Sequence, residues 1–213
     1  MANDTQQIQT WTSDFGREYT DRNPQSIEAM EALYAEQWGV SRRAINEESL
    51  APVDRSARIL EVGSNVGTQL RLLQSMGFTN LHGIEIQEYA IAKARELSEG
   101  IEFTHASALE LPFEDDSFDL VFTSGVLIHI SPADLGTVID QMVRCSRRWI
   151  WGFEYYAEQH TEIAYRGHDA LLWKGDFAGE FIARHPELRL VSQRFVPYTK
   201  SDNRDAMYLL ERG

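Results

Sequence analysis

Ile59-Leu60-Glu61-Val62-Gly63-Ser64-Asn65-Val66-Gly67 is the stretch that decides the fold of this 213-residue chain. Ile59 to Val62 is a short apolar run broken by one acid, and it reads as a buried strand. Gly63 and Gly67 follow, four residues apart. Leu70, Leu73 and Met76 then recur at helical spacing, and Gly77 closes the helix. A strand that passes through a glycine turn into a helix is the opening unit of a parallel sheet with crossover helices.

The alternation continues downstream. Leu81 to Ile86 reads as a second strand, followed by a helix bearing Ala90, Ile91, Ala94 and Leu97. Ile101 to His105 is a third strand and Phe118 to Phe122 a fourth. Ser131-Pro132-Ala133-Asp134 caps the next helix, and Arg148 to Phe153 is a fifth strand. Phe177 to Ala183 reads as helix. Leu188 to Val196 and Ala206 to Leu210 then read as two strands with no helical pattern between them, which predicts an antiparallel hairpin. The expected class is α/β: a Rossmann-like three-layer sandwich whose mostly parallel seven-stranded sheet ends in an antiparallel C-terminal hairpin.

Upstream, Asn23-Pro24 reads as a helix start, with Ile27, Met30 and Leu33 at helical spacing and Tyr34 and Trp38 nearby. Asn46 to Arg58 reads as a polar connection. Residues 1–213 are expected to form one domain, with 1–50 as an N-terminal cap and 154–176 as a substrate-capping insertion.

The composition is 43% hydrophobic and 25% charged, with six prolines, which excludes wholesale disorder. A net charge of -13 disfavours a nucleic-acid substrate and acidic membranes. The one cysteine, Cys145, falls late in an apolar helix pattern and reads as a core residue, so no intrachain disulfide is expected. MANDTQQIQTW lacks the basic start and apolar run of a signal peptide. A cytoplasmic monomer or homodimer with no membrane or nucleic-acid partner is the expectation. The acidic run Glu114–Asp116 reads as a surface turn, and no metal site is expected.

Ligands of open parallel sheets bind outside the carboxyl ends of the strands. That directs attention to the segments after Val62, Ile86, His105, Phe122 and Phe153. The first is not a dinucleotide fingerprint, because Asn65 replaces the middle glycine that lets a pyrophosphate approach. Glu61 would repel a phosphate but suits an ammonium or sulfonium, and the loop and helix start offer N–H groups to a carboxylate. S-adenosylmethionine (SAM) carries all three groups at its methionine end. Glu85, 24 residues after Glu61, is placed to accept ribose hydroxyls, with Ile86 against the adenine.

The run E-V-G-x-x-x-G at Glu61–Gly67, the strand-end Glu85, and A-L-E-L-P-F-E-D-D-S-F-D-L-V from Ala108 together resemble the class I SAM-dependent methyltransferases over about Arg58 to Phe153. The resemblance implies that SAM is the cofactor and S-adenosylhomocysteine (SAH) the product. It implies contacts from Glu61, Gly63, Ser64, Asn65, Gly67, Glu85, Ile86, Ser107, Ala108, Leu109 and Ser124, and from Tyr19 in the cap. Ser107 stands where the family usually has the Asp that bonds the adenine amino group.

A second resemblance spans nearly the whole chain. Phe15-Gly16-Arg17-Glu18-Tyr19-Thr20-Asp21-Arg22-Asn23-Pro24, Val126-Leu127-Ile128-His129-Ile130, Glu154-Tyr155-Tyr156, Tyr165-Arg166-Gly167-His168 and Lys174-Gly175-Asp176-Phe177 are similar to the methylases associated with pseudaminic acid biosynthesis. It implies a small-molecule acceptor: a nonulosonic acid-type sugar, its nucleotide-linked form or a related carboxylate.

Methyl transfer asks the protein to place the acceptor and, for a hydroxyl or protonated amine, to remove a proton. His129, after the fourth strand, is the first candidate base; Glu154 and His168 follow. The competing reading of His129 is a core histidine bonding a loop carbonyl. Arg22, Arg166 and Lys174 are candidate clamps for a substrate anion, and Tyr155, Tyr156 and Tyr165 candidate packing surfaces. Other readings of the chain are a protein or peptide methyltransferase, a non-catalytic SAM-binding protein, and an oxidoreductase, which Asn65 disfavours.

Overall fold

The computed structural model describes residues 5–167 and 169–213. Its strands are β1 (Arg58–Val62), β2 (Asn80–Glu85), β3 (Glu102–His105), β4 (Phe118–Ser124), β5 (Ser146–Tyr155), the two-residue β6 (Thr161–Glu162) and β7 (Trp173–Lys174), β8 (Leu188–Pro197) and β9 (Arg204–Arg212). The main sheet runs in the order β3-β2-β1-β4-β5-β9-β8. Its first five strands pair in parallel, and β9 lies antiparallel between β5 and β8. This is the expected Rossmann-like sandwich with its C-terminal hairpin. Chain order reverses at β1 and β4, and a crevice opens outside their carboxyl ends.

Neighbouring residues in the central strands are buried on opposite faces, as a period of two requires. Ile59, Leu120, Trp151 and Leu209 enter one core, while Leu60, Val121, Ile150 and Leu210 enter the other. Sheets covered on both sides therefore show near-continuous apolar runs rather than alternation. The first core is closed by α3 (Ile27–Trp38), α4 (Arg42–Ser49), α5 (Thr68–Ser75) and α6 (Glu88–Leu97), and the second by α7 (Pro132–Cys145) and α8 (Phe177–Arg184). Cys145 is buried at the end of α7. Among the described residues no helix is long and apolar enough to cross a membrane.

The amino-terminal segment departs from expectation. It holds two further helices, α1 (Gln6–Thr12) and α2 (Asp14–Arg22), joined by Ser13, which ends one and caps the other. Asn23 closes α2 instead of opening a helix, and Ser26 is the N-cap of α3 through its hydroxyl on the amide of Ala29. Asn46 to Ser49 is helical, because Arg42, Ile45, Asn46 and Ser49 form a buried face that the polar composition conceals.

Candidate active site

The glycine turn is built for a tight passage from β1 into α5. Gly63 and Gly67 have φ of 75° and 73°, and Asn65, at 46°, takes the one left-handed position that a short polar side chain tolerates. A Cβ on Gly63 would lie 2.7 Å from a Val126 methyl. The turn spends its amides internally. Gly63 and Ser64 donate to the carbonyl of Ile84, Asn65 to Glu85, and Val66 to the side chain of Asn65. The expectation that these loop amides meet a ligand carboxylate is therefore corrected, because β2 and Glu85 already occupy them.

Beside the turn lies a cavity of about 290 Å³. Glu61, Gly63, Ser64, Asn65, Glu85, Ile86, Ser107, Ala108, Leu109, Ser124 and Tyr19 all line it, together with His129. Gly67 stands behind, packed on Phe103. Burial pushes the Glu85 carboxyl up, against the backbone amides of Gln87, Asn65 and Ile86. These amides fix the carboxylate at 2.8–3.0 Å and leave lone pairs for ribose hydroxyls. Ser107 accepts from the amide of Leu109 at 3.2 Å, so its hydroxyl shapes the turn that follows β3.

Several buried polar atoms here have no partner: Oε2 of Glu61, the hydroxyl of Ser64 and both amide atoms of Gln69. Burial raises the Glu61 carboxyl well above its ordinary range; the charge of Arg42 opposes this and Glu85 adds to it. Arg42 is itself fully buried, donating to Tyr34 at 2.6 Å and Ser124 at 3.1 Å, with its guanidinium 4.5 Å from the Phe153 ring centre. Orphaned buried polar groups are rare in proteins unless a ligand satisfies them. An amino-acid ammonium and carboxylate fit this set.

His129 ends a single 3-10 turn, Leu127–His129, after β4. Its Nδ1 lies 2.7 Å from the carbonyl of Leu171, so that nitrogen carries the proton and Nε2 keeps its lone pair. Nε2 has no hydrogen-bond partner among the described residues. Burial lowers the ring to about 4, with the Leu171 bond opposing, so the imidazole is neutral. Both sequence readings of His129 hold at once: it bonds a loop carbonyl and it lines the cavity. The ring lies 4.6 Å from Trp11, 6.1 Å from Tyr19 and 5.5 Å from Tyr165.

Other candidates sit elsewhere. Glu154 accepts from the amides of Val126 at 3.1 Å and Ile128 at 3.4 Å, so it clamps the turn that carries His129 and does not line the cavity. Tyr155 and Lys174 meet each other and the hairpin, with Lys174 bonded to Asn203. Tyr156 packs on Phe195 and Arg204. None of these three lines the cavity, because β5 extends to Tyr155 and pairs there with β9. Arg22 pairs with Glu18 at 3.5 Å, and Arg166 is exposed over the Tyr165 ring. The clamp expected from Arg22, Arg166 and Lys174 is not assembled. His168 lies outside the described residues.

Sequence reasoning missed Trp11, Tyr34, Arg42, Gln69 and Gln87. Gln87 donates to the Trp11 carbonyl at 3.0 Å and accepts from Thr20 at 3.0 Å; Thr20 in turn accepts from Asn65 at 3.2 Å. This relay ties α1 and α2 over the cavity. Only the position of Gln87, two residues past Glu85, signalled it.

The fold and this site define a class I methyltransferase architecture of the SAM-dependent kind. Residues 59–148 match the family model described as a methyltransferase domain, and that stretch is a domain of this type. Curated relatives include the 24-methylenesterol C-methyltransferase 2 of Arabidopsis thaliana, 33% identical over 128 residues (54% of this chain, 36% of that protein). The demethylmenaquinone methyltransferase of Clavibacter sepedonicus is 31% identical over 105 residues (48% and 41%). The chain spans about a third of the length of the curated relatives it matches. Among solved structures, the 1,6-didemethyltoxoflavin-N1-methyltransferase of Burkholderia thailandensis shares the fold. Its TM-score is 0.73 at 17% identity, covering 100% of this chain and 91% of that one. It was solved with 1,6-didemethyltoxoflavin and SAH bound.

Proposed function

We propose that the whole chain acts as one unit that transfers a methyl group from SAM to an oxygen or nitrogen atom of a small molecule. The observation that carries this is the set of unpartnered buried atoms on Glu61, Ser64 and Gln69 beside a fixed Glu85 carboxylate. Glu61, Ser64 and Gln69 would hold the amino-acid end of the cofactor, Glu85 its ribose, and Ile86, Ser107, Ala108 and Leu109 its adenine. When bound, SAM supplies a methyl group on a positively charged sulfur.

The chain's own part is placement and proton handling. Nε2 of neutral His129 accepts the hydrogen bond of the acceptor's O–H or N–H, and Glu154 holds His129 at the cavity through the Val126 and Ile128 amides. The α1–α2 roof keeps water out. The small cavity supports a small acceptor, at the lower end of the usual range of about 300–1,000 Å³ for ligand pockets. The second resemblance gives one acceptor to test, a nonulosonic acid-type sugar.

The test is incubation of the protein with methyl-labelled SAM and a cell extract fractionated by size. Label in the low-molecular-mass fraction, lost with His129→Ala, is the expected result. Label confined to protein would establish the protein methyltransferase reading instead. No transfer from a SAM-bound protein would favour a non-catalytic role.

A further inference from the structure

The residues around Nε2 of His129 carry information about the acceptor itself. This inference rests on the function proposed above and deepens it. Trp11, Tyr19 and His129 line one end of the cavity as a continuous aromatic surface. Phe15 and Tyr165 extend it, at 5.4 Å from Trp11 and 5.5 Å from His129 respectively. Ile8 and Ile130 add aliphatic surface.

Charge at this end is one-sided. Among the described residues, no Arg or Lys lines the cavity, whereas Glu61, Glu85 and Asp134 do. Arg42 stands behind Tyr34 and Ser124, beside Glu61, on the side assigned to the cofactor. Arg22 and Lys174 are bonded elsewhere. A carboxylate or phosphate remote from the reacting atom would be buried here without a counter-charge, which proteins avoid. A cationic acceptor would sit beside the positive sulfur of the donor. A sugar would turn many hydroxyls toward rings that offer few partners.

We propose that the acceptor is a small planar ring, uncharged apart from the atom to be methylated. It lies against Trp11 and Tyr19 and presents its O–H or N–H to Nε2 of His129. Aromatic surfaces favour such rings by offset or edge contacts, and the lone pair on Nε2 selects a donor. When the methyl bond forms to the acceptor oxygen or nitrogen, the acceptor's proton passes to Nε2 and then to solvent. The carbon–sulfur bond breaks and leaves SAH.

The test is binding, not turnover. Wild-type protein is first titrated with SAH, then the SAH complex is titrated calorimetrically with 2-naphthol, 6-hydroxy-2-naphthoate, 2-naphthylmethylammonium and N-acetylneuraminate. The expected result is binding of 2-naphthol, with the carboxylate, the ammonium and the sugar acid each at least tenfold weaker. Trp11→Ala should lose at least tenfold for 2-naphthol while Trp11→Phe keeps most of it, so that loss of fold is told apart from loss of the surface. Equal or tighter binding of either charged ring or of the sugar acid would overturn the proposal. So would SAH binding without any binding of 2-naphthol. Failure of SAH itself to bind would fall on the methyltransferase reading, and this proposal would go with it.

Discussion

The side-chain amide of Gln87 donates to the main-chain carbonyl of Trp11 across 3.0 Å, joining the residue just past β2 to the helix that roofs the cavity. Their separation of 76 positions makes this a tertiary bond that stands between cofactor and solvent. The same side chain accepts from Thr20, which accepts from Asn65 in the glycine turn. Roof and floor are thus one hydrogen-bonded unit. Gln87→Ala should loosen α1 and α2 without unfolding the sheet. SAH should dissociate at least several-fold faster, and residues 5–23 should lose amide-exchange protection while β1 and β4 keep theirs. Unchanged protection would show that the relay does not hold the roof.

His129 should behave as a neutral hydrogen-bond acceptor throughout the physiological range. With its pKa lowered to about 4 by burial, kcat should show no titration of this group between about pH 5.5 and 8.5. His129→Ala should reduce kcat roughly 100- to 10,000-fold, the range for a positioned base, with little change in SAH affinity. A kcat profile with a rise near pH 6.5 would mean that the imidazole is solvated in the working enzyme.

Glu154 links stability to pH with a definite sign. Burial raises its carboxyl from 4.5 to about 7, against the amides of Val126 and Ile128. Between those values the unfolded chain holds fewer protons than the folded one. Its contribution is therefore full below about pH 4.5 and is lost as pH rises through 7. Asp205, raised from 3.8 to about 7 chiefly by burial, acts in the same direction. Glu154→Gln should flatten the fall in denaturant midpoint over that window. His129 works oppositely, losing stability as pH falls from 6.5 toward 4. An unaltered pH slope in Glu154→Gln would place the titration elsewhere.

Gly63→Ala should damage the site at two points. The residue needs φ of 75°, and its new Cβ would sit 2.7 Å from the Val126 methyl. The strain is on the order of 1–3 kcal/mol. Val126 heads the turn that carries His129, so both melting temperature and kcat should fall. A variant with wild-type melting temperature would show that the turn can relax.

The alternating strands and helices were legible because sheets buried on both faces leave apolar runs of strand length, and Ser131 and Gly67 punctuate the helices. The cofactor-facing residues Glu61, Glu85 and Ser107 were legible because they follow strand ends at fixed positions. Trp11 and Arg42 were not. Their importance comes from Gln87 and Ser124, 76 and 82 residues away, and short-range periodicity carries nothing about such contacts. Tyr155, Tyr156 and Lys174 read as site residues because they follow the fifth strand. Pairing of Tyr155 with Asp205 carries that strand past the cavity and turns them toward the hairpin.

The most direct measurement is isothermal titration of the purified protein with SAH, beside Glu85→Ala. Glu85 is fixed by the amides of Asn65, Ile86 and Gln87, and its removal leaves the ribose without its acceptor. Micromolar binding by the wild type and a loss of at least tenfold in the variant is the expected result. No binding by the wild type, or equal binding by both, would contradict a SAM site at the carboxyl ends of β1 and β2.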